Sequence, residues 1–445
     1  MIKFKFSYCI SFSRWIKIFD KNVQDILDAV NSHQAYWRDV LPMIASENIT
    51  SPLARSMFIT DLSHRYAEGK VGHRFYQGCK YIDEIELKTI ELSKELFKAE
   101  HVNVQPISGV NANIAAFFAL SKPGDTILSL KVSDGGHISH VKYSAAGLRG
   151  LKVYSHPFDN ERMNIDPERM VDTILEIKPR IVLFGASLFL FPHPVKEAVD
   201  AAKEVGADIV YDAAHVLGLI AGGKFQDPLR EGADIMTAST HKTFPGPQGG
   251  IIFCKKEYAK EIDLAVFPGT VSNHHLHHLA ALGITTAEMI KFGKEYAEQV
   301  VKNAKYLAKD LYNRGFNVLC KKYGFTESHQ IVIDISSISS GKDAATKLED
   351  AGIVVNANLL PKDVDSNADN VSGIRIGVQE LTRLGMREKE MKDVAEFIER
   401  VLLVGEKPSI LKDDVTEMKR RYQNVFYCFD FGKDNAYSFD LFKLI

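Results

Sequence analysis

The segment with the most chemical information reads TASTHKTFPGPQGG at 237–250. Its first residues are typical of a buried strand, and the glycines and prolines that follow exclude a helix. Lys242 therefore lies just beyond a strand end, among serine and threonine hydroxyl groups and beside the imidazole of His241. A lysine is usually a solvated surface residue. A lysine held among short polar groups can instead form a Schiff base with a carbonyl cofactor, and such groups also suit a phosphate.

An acidic residue ends another apolar run thirty residues earlier. The sequence ADIVYDAAH at 207–215 predicts a buried strand that ends at Asp212 and is followed by His215. A carboxylate at the C-terminal end of a parallel strand lies where α/β sheets bind ligands. There it can keep a pyridine nitrogen protonated, so that the ring accepts electrons. The alternatives are that Asp212 caps the next helix and that His215 is a core histidine.

A third polar stretch, PISGVNAN at 106–113, precedes an apolar helical pattern over 114–120. Small residues at a helix start leave N–H groups free, and the helix dipole favours an anion there. Ser108 and Gly109 are therefore candidates for a phosphate site, although a serine and glycine before a helix are also a common cap. Along the sequence this stretch comes first, the strand-end acid second and the strand-end lysine third. That is the order of a pyridoxal-phosphate fold.

Two histidine-bearing segments also attract attention. In DGGHISH at 134–140, the glycines let the backbone approach a ligand, so His137 could stack on a flat ring, unless it is only a surface residue. The run NHHLHH at 273–278 suggests a metal, but adjacent histidines project in different directions and no acidic or cysteine partner accompanies them. We therefore expect no metal site.

Composition narrows the classes of ligand. Of 445 residues, 45% are hydrophobic and 25% charged, which is typical of a soluble globular protein with two or three domains. The formal net charge of -2 gives no reason to expect nucleic acid or an anionic membrane as a partner, so small molecules are expected. The five cysteines are far apart and form no CxxC pair, which argues against a disulfide framework and fits a reducing cytoplasm.

The first 19 residues are apolar and basic, but four Lys and Arg residues interrupt any run long enough to span a bilayer. We interpret them as an extension or the product of a mis-chosen start codon, with a membrane-surface helix as the alternative.

Short β-rich runs alternate with helical patterns, which is typical of a βα crossover fold with a parallel sheet. The predicted strands are 126–130, 151–155, 180–185, 207–211, 234–238, 250–254, 330–335, 353–356 and 374–378. The predicted helices are 84–98, 195–205 and a long stretch over 280–311. A polar, turn-rich segment over 359–371 predicts a surface loop.

The fold class is therefore α/β, with a mostly parallel mixed sheet in the large domain and a smaller α+β domain at the C-terminus. We place an N-terminal extension and arm at 1–50, the large cofactor-binding domain at 51–290, and the small domain with its tail at 291–445.

Over about residues 40–400 the chain resembles serine hydroxymethyltransferase. The matching motifs are LPMIASEN at 41–48, RYAEG at 65–69, RFYQGC at 74–79, the Ser108 and His137 segments, YDAAH at 211–215, THKT at 240–243, FPG at 267–269 and SGIR at 372–375. The resemblance implies a fold-type I enzyme that uses pyridoxal 5'-phosphate and takes serine, glycine and a reduced pterin as substrates. It also implies a cytoplasmic homodimer whose active sites are shared between subunits.

The resemblance further implies which residues hold the cofactor. Lys242 would bind it covalently, Asp212 would pair with the pyridine nitrogen, and His137 would stack on the ring. The other implied cofactor contacts are Ser108 and Gly109 at the phosphate, Gly269 and Thr270 from the other subunit, His215 near the phenolic oxygen, Ser187 and His241.

The resemblance implies substrate contacts as well. Arg375 would bind the substrate carboxylate through a bidentate pair, helped by Ser46. Glu68, with Tyr66 and Tyr76 from the neighbouring chain, would handle protons at the serine hydroxyl and the pterin. Glu68 would then be the principal acid and base.

Three departures from the family pattern bear on the carrier. Gln248 replaces the arginine that typically follows Gly-Pro in the lysine loop, and TVSNHH at 270–275 replaces a glycine-rich run. In the pterin-side loop, Leu359 and Leu360 stand where smaller or more polar residues are frequent. These features are similar to archaeal members and make tetrahydromethanopterin a candidate beside tetrahydrofolate.

Other fold-type I enzymes, such as an aminotransferase, a threonine aldolase or a cysteine desulfurase, also need a strand-end aspartate and lysine. The Tyr66-Ala-Glu68 motif argues against them. A non-catalytic protein that has kept the fold is the remaining alternative, although every expected catalytic position is filled.

Overall fold

The computed structural model describes residues 20–363, 371–429, 432 and 435–437. Its strands are β1 His101–Asn103, β2 Thr126–Ser129, β3 Lys152–Ser155, β4 Ile181–Phe184, β5 Asp208–Asp212, β6 Ile235–Ser239, β7 Gly250–Cys254, β8 Asn317–Val318, β9 Gln330–Asp334, β10 Asn356–Asn358 and β11 Gly373–Gly377. Two-residue strands also pair, namely Leu41–Pro42 with Ile353–Val354, Gly69–Lys70 with His73–Arg74, and Phe158–Asp159 with Asn164–Ile165.

The α-helices are α1 Lys21–Asp39, α2 Pro52–Ser56, α3 Lys80–Phe97, α4 Gly109–Leu120, α5 Ala145–Leu148, α6 Pro167–Ile177, α7 Val195–Val205, α8 Leu217–Ala221, α9 Pro228–Glu231, α10 Ala259–Leu264, α11 Leu276–Asn313, α12 Gly341–Asp350, α13 Gln379–Arg383, α14 Glu388–Glu399 and α15 Pro408–Arg420. None of the helices in the described ranges combines the length and apolar character needed to cross a bilayer.

Seven strands form the large sheet in the order β1-β7-β6-β5-β4-β2-β3. Only β7 runs antiparallel to its neighbours, so the sheet is mostly parallel, as the sequence predicts. Apolar side chains cover both faces. In β5, for example, Ile209 and Tyr211 belong to one buried cluster and Val210 to the other. This explains why these strands are continuous apolar runs rather than alternating ones.

A second, four-stranded antiparallel sheet has the order β8-β9-β11-β10. The predicted strand over 353–356 divides in two, because 353–354 pairs in parallel with 41–42 while β10 pairs with β11. The segment after α1 is thereby fixed against this sheet.

Other features also differ from the sequence-based expectation, among them the following. The short strand β1 was not predicted, because three residues are too few to show a period. Helix α4 begins at Gly109 rather than at 114, since Ser108 caps it by accepting a hydrogen bond from the N–H of Asn111. Helix α11 continues through residue 290, the predicted boundary between the domains, and that boundary stays a prediction.

Candidate active site

Lys242 lies in the loop that follows β6, and its side chain is buried. Helix α4 approaches the same strand end so closely that a Cβ atom on Gly109 would lie 3.0 Å from the Cβ of Ser239. Burial, against the opposing charge of Asp212 and with a smaller contribution from the charge of Arg375, lowers the pKa of Lys242 to about 8. A larger fraction of this amine is therefore uncharged at neutral pH than for an ordinary lysine.

Asp212 ends β5 and is buried. Its Oδ2 accepts a hydrogen bond from Asn113 Nδ2 at 2.7 Å and lies 2.9 Å from His140 Nε2, while Oδ1 accepts from the N–H of Ala214 at 3.0 Å. Burial raises the pKa of Asp212, but the hydrogen bond and charge of His140 outweigh it and hold the pKa below its ordinary value. The carboxylate is a fixed negative charge at the strand end.

A glycine after β4 opens the space beside this carboxylate. Gly185 has φ of +109°, and a Cβ there would lie 2.2 Å from the carbonyl oxygen of Asp212, so only glycine lets the two strand ends approach. The chain then turns to Ser187, whose carbonyl accepts hydrogen bonds from Gln330 at 3.0 Å and from Arg375 Nη1 at 2.6 Å.

His137 follows the glycine pair predicted to let the backbone approach a ligand. Its Nδ1 accepts a hydrogen bond from the N–H of Ser139 at 3.1 Å, which fixes the ring. Burial, and next the charge of His140, lower the pKa of His137 to about 4. The imidazole is therefore neutral at pH 7 and presents a flat, uncharged ring face.

The start of α4 has free hydrogen-bond donors. Ser108 Oγ accepts a hydrogen bond from the N–H of Asn111, and the Ser108 carbonyl oxygen accepts one from the N–H of Ala112. The N–H groups of Gly109 and Val110 therefore have no partner within the helix. These donors and the helix dipole favour an anion.

Arg375 lies on β11 and its side chain is buried. Nε donates to Asn356 Oδ1 at 3.0 Å and Nη1 to the Ser187 carbonyl at 2.6 Å, so strand β10 and the segment after β4 hold the guanidinium. Within the part of the chain that the structure describes, Nη2 makes no hydrogen bond. Burial lowers the pKa of Arg375 to about 10, so the group stays charged and can receive a carboxylate.

A cavity of about 770 Å³ opens beside Lys242. Ser46 and Asn48 line it from the segment after α1, Gln248 from the lysine loop, and Glu380 from α13. Burial, and next the charge of Glu47, raise the pKa of Glu380 to about 7.

Both remaining histidines of the predicted set are close to Lys242. The rings of His215 and His329 stack with centroids 5.8 Å apart, and His215 Nδ1 lies 2.9 Å from Gln330 Nε2. Burial, and next the charge of Lys242, lower the pKa of His215 well below its ordinary value and that of His241 to about 4.

Five predicted residues lie elsewhere in this chain. The rings of Tyr66 and Tyr76 contact each other with centroids 5.4 Å apart, and Glu68 accepts a hydrogen bond from Ser272 Oγ at 2.5 Å. Gly269 and Thr270 lie against the outer side of α4. None of the five lines the cavity beside Lys242.

The sequence model of the serine hydroxymethyltransferase family matches residues 16–398. A serine hydroxymethyltransferase of Methanocella arvoryzae is 63% identical over 94% of this chain and 99% of its own length. Those of Methanothermobacter marburgensis and Pyrococcus abyssi are 59% and 54% identical, over 93% and 92% of this chain and 97% of each relative. The chain belongs to the serine hydroxymethyltransferase family.

Serine hydroxymethyltransferases are pyridoxal-phosphate enzymes of fold-type I that interconvert serine and glycine with transfer of a one-carbon unit, and this is the activity of the chain. The predictions of the family, the fold class, the enzyme activity and the cofactor are therefore confirmed.

The residues present fit pyridoxal phosphate. They offer a buried amine of lowered pKa, a fixed carboxylate for a protonated pyridine, and free N–H groups for a phosphate. His241 Nδ1, next to Lys242, is also buried without a hydrogen-bond partner in the described residues, as a polar atom that receives a ligand would be.

Two sequence-based interpretations need correction. Leu360 is buried in an apolar cluster with Met163, Leu188 and Val332, so it is a core residue and not part of a surface loop. Within that predicted loop, residues 364–370 lie outside the described residues. The histidine run does have an acidic neighbour, because His274 Nε2 lies 3.4 Å from Glu86 Oε2.

Sequence reasoning missed the residues that hold the site in place. His140 and Asn113 bind Asp212, and Gln330 joins Ser187 to His215. Both His140 and Asn113 stand in motifs already singled out, so their spacing from His137 and Ser108 was the available signal.

Proposed function

We propose that the one-carbon acceptor is a reduced pterin, tetrahydromethanopterin or tetrahydrofolate, which takes the hydroxymethyl carbon of serine and leaves glycine. Membership of the family supports the one-carbon acceptor, and the placement of Arg375 carries the serine side of the proposal. Its charge lowers the pKa of Lys242, so the two groups are close enough to interact, and its Nη2 makes no hydrogen bond within the described residues. A bound amino acid would then have its carboxylate on Arg375 and its α-carbon beside the cofactor.

In this proposal Arg375 binds the carboxylate of serine, and Ser46 in the adjoining cavity helps. Lys242 would hold the cofactor covalently, and its buried amine of lowered pKa would be able to accept or release a proton near neutral pH. Asp212, held by His140, keeps the pyridine nitrogen protonated. When bound, pyridoxal phosphate supplies an electron sink for the pair released as the Cα–Cβ bond of serine breaks.

We also propose that proton handling at the serine hydroxyl comes from the partner subunit of a homodimer. Tyr66, Phe75, Tyr76 and Tyr81 are exposed large aromatic side chains on neighbouring segments, and such a patch is typical of a protein interface. Glu68 lies on the same segment but away from its own Lys242 cavity. A second copy that brings this segment to the cavity would give each site its acid and base.

A cytoplasmic location completes the proposal. Among the described cysteines, Cys79, Cys254 and Cys320 are free thiols, which suits a reducing compartment.

The carrier is tested by measuring glycine formation from serine with tetrahydromethanopterin and tetrahydrofolate in parallel, at matched enzyme and cofactor concentrations. Glycine formation that depends on either pterin supports the proposal, and the ratio of the two kcat/KM values identifies the carrier. Glycine formation that is independent of both would overturn it. Gln248→Arg introduces the arginine that is typical of the family at this position. If Gln248 affects which pterin is used, the ratio of the two kcat/KM values should move toward tetrahydrofolate in this variant.

A further inference from the structure

Asn48 connects the segment after α1 to the backbone of the cofactor lysine. Its Nδ2 donates one hydrogen bond to the carbonyl of Lys242 at 2.7 Å and another to the hydroxyl of Tyr296 at 2.8 Å. Its Oδ1 accepts from the N–H of Ile49 at 2.9 Å. A carbonyl only accepts and a backbone N–H only donates, so these neighbours allow one orientation of the amide.

The segment that carries Asn48 is fixed from its other side by the small sheet. The N–H of Gly377 donates to the carbonyl of Met43 at 2.8 Å, and His329 Nε2 lies 3.0 Å from that of Ala45. Gln379 Nε2 donates to the carbonyls of Ile44 and Glu47 at 2.7 and 2.6 Å. The segment is therefore fixed to the sheet that carries Arg375 by several hydrogen bonds.

The closeness of this packing leaves little room for movement. A Cβ atom at Gly377 would lie 2.5 Å from the Cα of Ala45, so the segment runs directly on the end of β11. Ser46, which lines the cavity beside Lys242, stands two residues before Asn48. The two residues that would receive the amino-acid carboxylate, Ser46 and Arg375, thus belong to one rigid unit.

We propose that Asn48 is a positioning residue that holds the Lys242 peptide at a fixed place relative to the carboxylate-binding unit of Ser46 and Arg375. The reacting amine and the substrate carboxylate come from different sheets, so their relative placement needs a direct link. The inference rests on the proposed roles of Lys242 and Arg375. An error of about 1 Å in such placement can cost roughly 10²-fold in rate.

Tyr296 provides the matched control. Tyr296→Phe removes the other acceptor of Asn48 Nδ2 but leaves the bond to the Lys242 carbonyl possible, since Tyr296 is a core residue of α11. If Asn48 only stabilises the fold, Asn48→Ala and Tyr296→Phe should behave alike. If it positions Lys242, only the Asn48 variants should change the chemistry of the amine.

The experiment compares wild type, Asn48→Ala, Asn48→Leu and Tyr296→Phe. In the cofactor-free protein, the rate of acetylation of Lys242 by acetic anhydride is followed against pH by mass spectrometry of its peptide. We expect the pKa of Lys242, about 8 in the wild type, to rise in both Asn48 variants, because a displaced amine is better solvated. Tyr296→Phe should leave it unchanged.

Cofactor uptake and turnover give the second measurement. Uptake of pyridoxal phosphate should slow about tenfold in the Asn48 variants, the effect of one buried hydrogen bond. With cofactor saturating, kcat should fall by up to about 10²-fold, with a smaller change in KM for serine. Equal labelling curves and uptake rates in all four proteins would overturn the proposal, as would misfolding of both Asn48 variants while Tyr296→Phe folds. Failure of borohydride to attach the cofactor to Lys242 of the wild type would instead contradict the proposed function.

Discussion

His140 Nε2 lies 2.9 Å from Asp212 Oδ2, and both side chains are buried. The hydrogen bond and charge of His140 are the largest influences that hold the pKa of Asp212 down against burial. The carboxylate at the end of β5 therefore stays ionised near neutral pH. In the proposed function it gives the proton on a bound pyridine a permanent counter-charge.

Asp212→Asn should lower kcat for glycine formation by at least about 10²-fold, because an amide cannot provide that counter-charge. His140→Asn should reduce kcat less, since the carboxylate remains. Steady-state kinetics at saturating serine and pyridoxal phosphate measure both. A larger loss in His140→Asn than in Asp212→Asn would contradict the assignment of Asp212 as the group facing the pyridine.

Lys242→Met should stabilise the cofactor-free protein at pH 7. Below pH 8 the buried lysine is charged in both states, and the folded state disfavours that charge, since burial lowers its pKa from 10.5 to about 8. This shift corresponds to about 3 kcal/mol. As the pH rises from 8 toward 10.5, Lys242 is neutral in the folded state and loses its charge in the unfolded state as well. The free energy of unfolding of the wild type therefore increases by this amount over that range. The advantage of Lys242→Met should therefore be full at pH 7 and disappear above about pH 10.5.

Urea unfolding of the two proteins at a series of pH values measures the difference, and taking the difference cancels all other titrations. Lys260→Met removes an exposed lysine and is the control, with no expected change. A constant difference across the pH range would mean that Lys242 is not a buried lysine of lowered pKa.

The sequence predicted the parts of the site that local pattern determines. Asp212 could be placed because an apolar run of strand length ends in it, and Lys242 because glycines and prolines follow its strand. The partners of these residues could not be placed. His140 is 72 residues from Asp212 and Asn48 is 194 from Lys242, and periodicity carries no information on contacts at such separations.

The burial of single residues in irregular segments could not be predicted from the sequence either. Leu360 follows a strand of only three residues and precedes a polar stretch, so its neighbours predicted a loop. Its side chain is buried because Met163 and Leu188 from the large-sheet region pack on it. Such packing is a property of the assembled fold, to which the local pattern contributes nothing.

Arg375→Ala should abolish measurable serine binding while cofactor binding survives. Truncation removes the charge-assisted partner of a buried carboxylate, at a cost of roughly 2 to 5 kcal/mol. Asn356→Ala, which removes only the side chain bonded to Arg375 Nε, should weaken serine less. Spectroscopic titration with serine measures both affinities. Unchanged apparent serine affinity in Arg375→Ala would exclude it as the carboxylate-binding residue.

Glu68→Gln should separate proton handling from cofactor and amino-acid binding. Glycine should still bind, because Lys242, Asp212 and Arg375 are unchanged and the amide is nearly isosteric. Serine cleavage should fall by roughly 10²- to 10⁴-fold, the usual contribution of a positioned general acid or base. Cleavage of a 3-phenylserine analogue without pterin should fall much less.

The alternative is that Glu68 only stabilises assembly of the dimer. Within one chain its hydrogen-bond partner is Ser272 Oγ, so Ser272→Ala removes that contact and keeps the carboxylate. If Glu68 handles protons, Ser272→Ala should retain most of the serine cleavage that Glu68→Gln loses, and both variants should sediment as dimers. A parallel loss of both cleavage activities in Glu68→Gln, together with dissociation to monomers, would defeat the catalytic assignment.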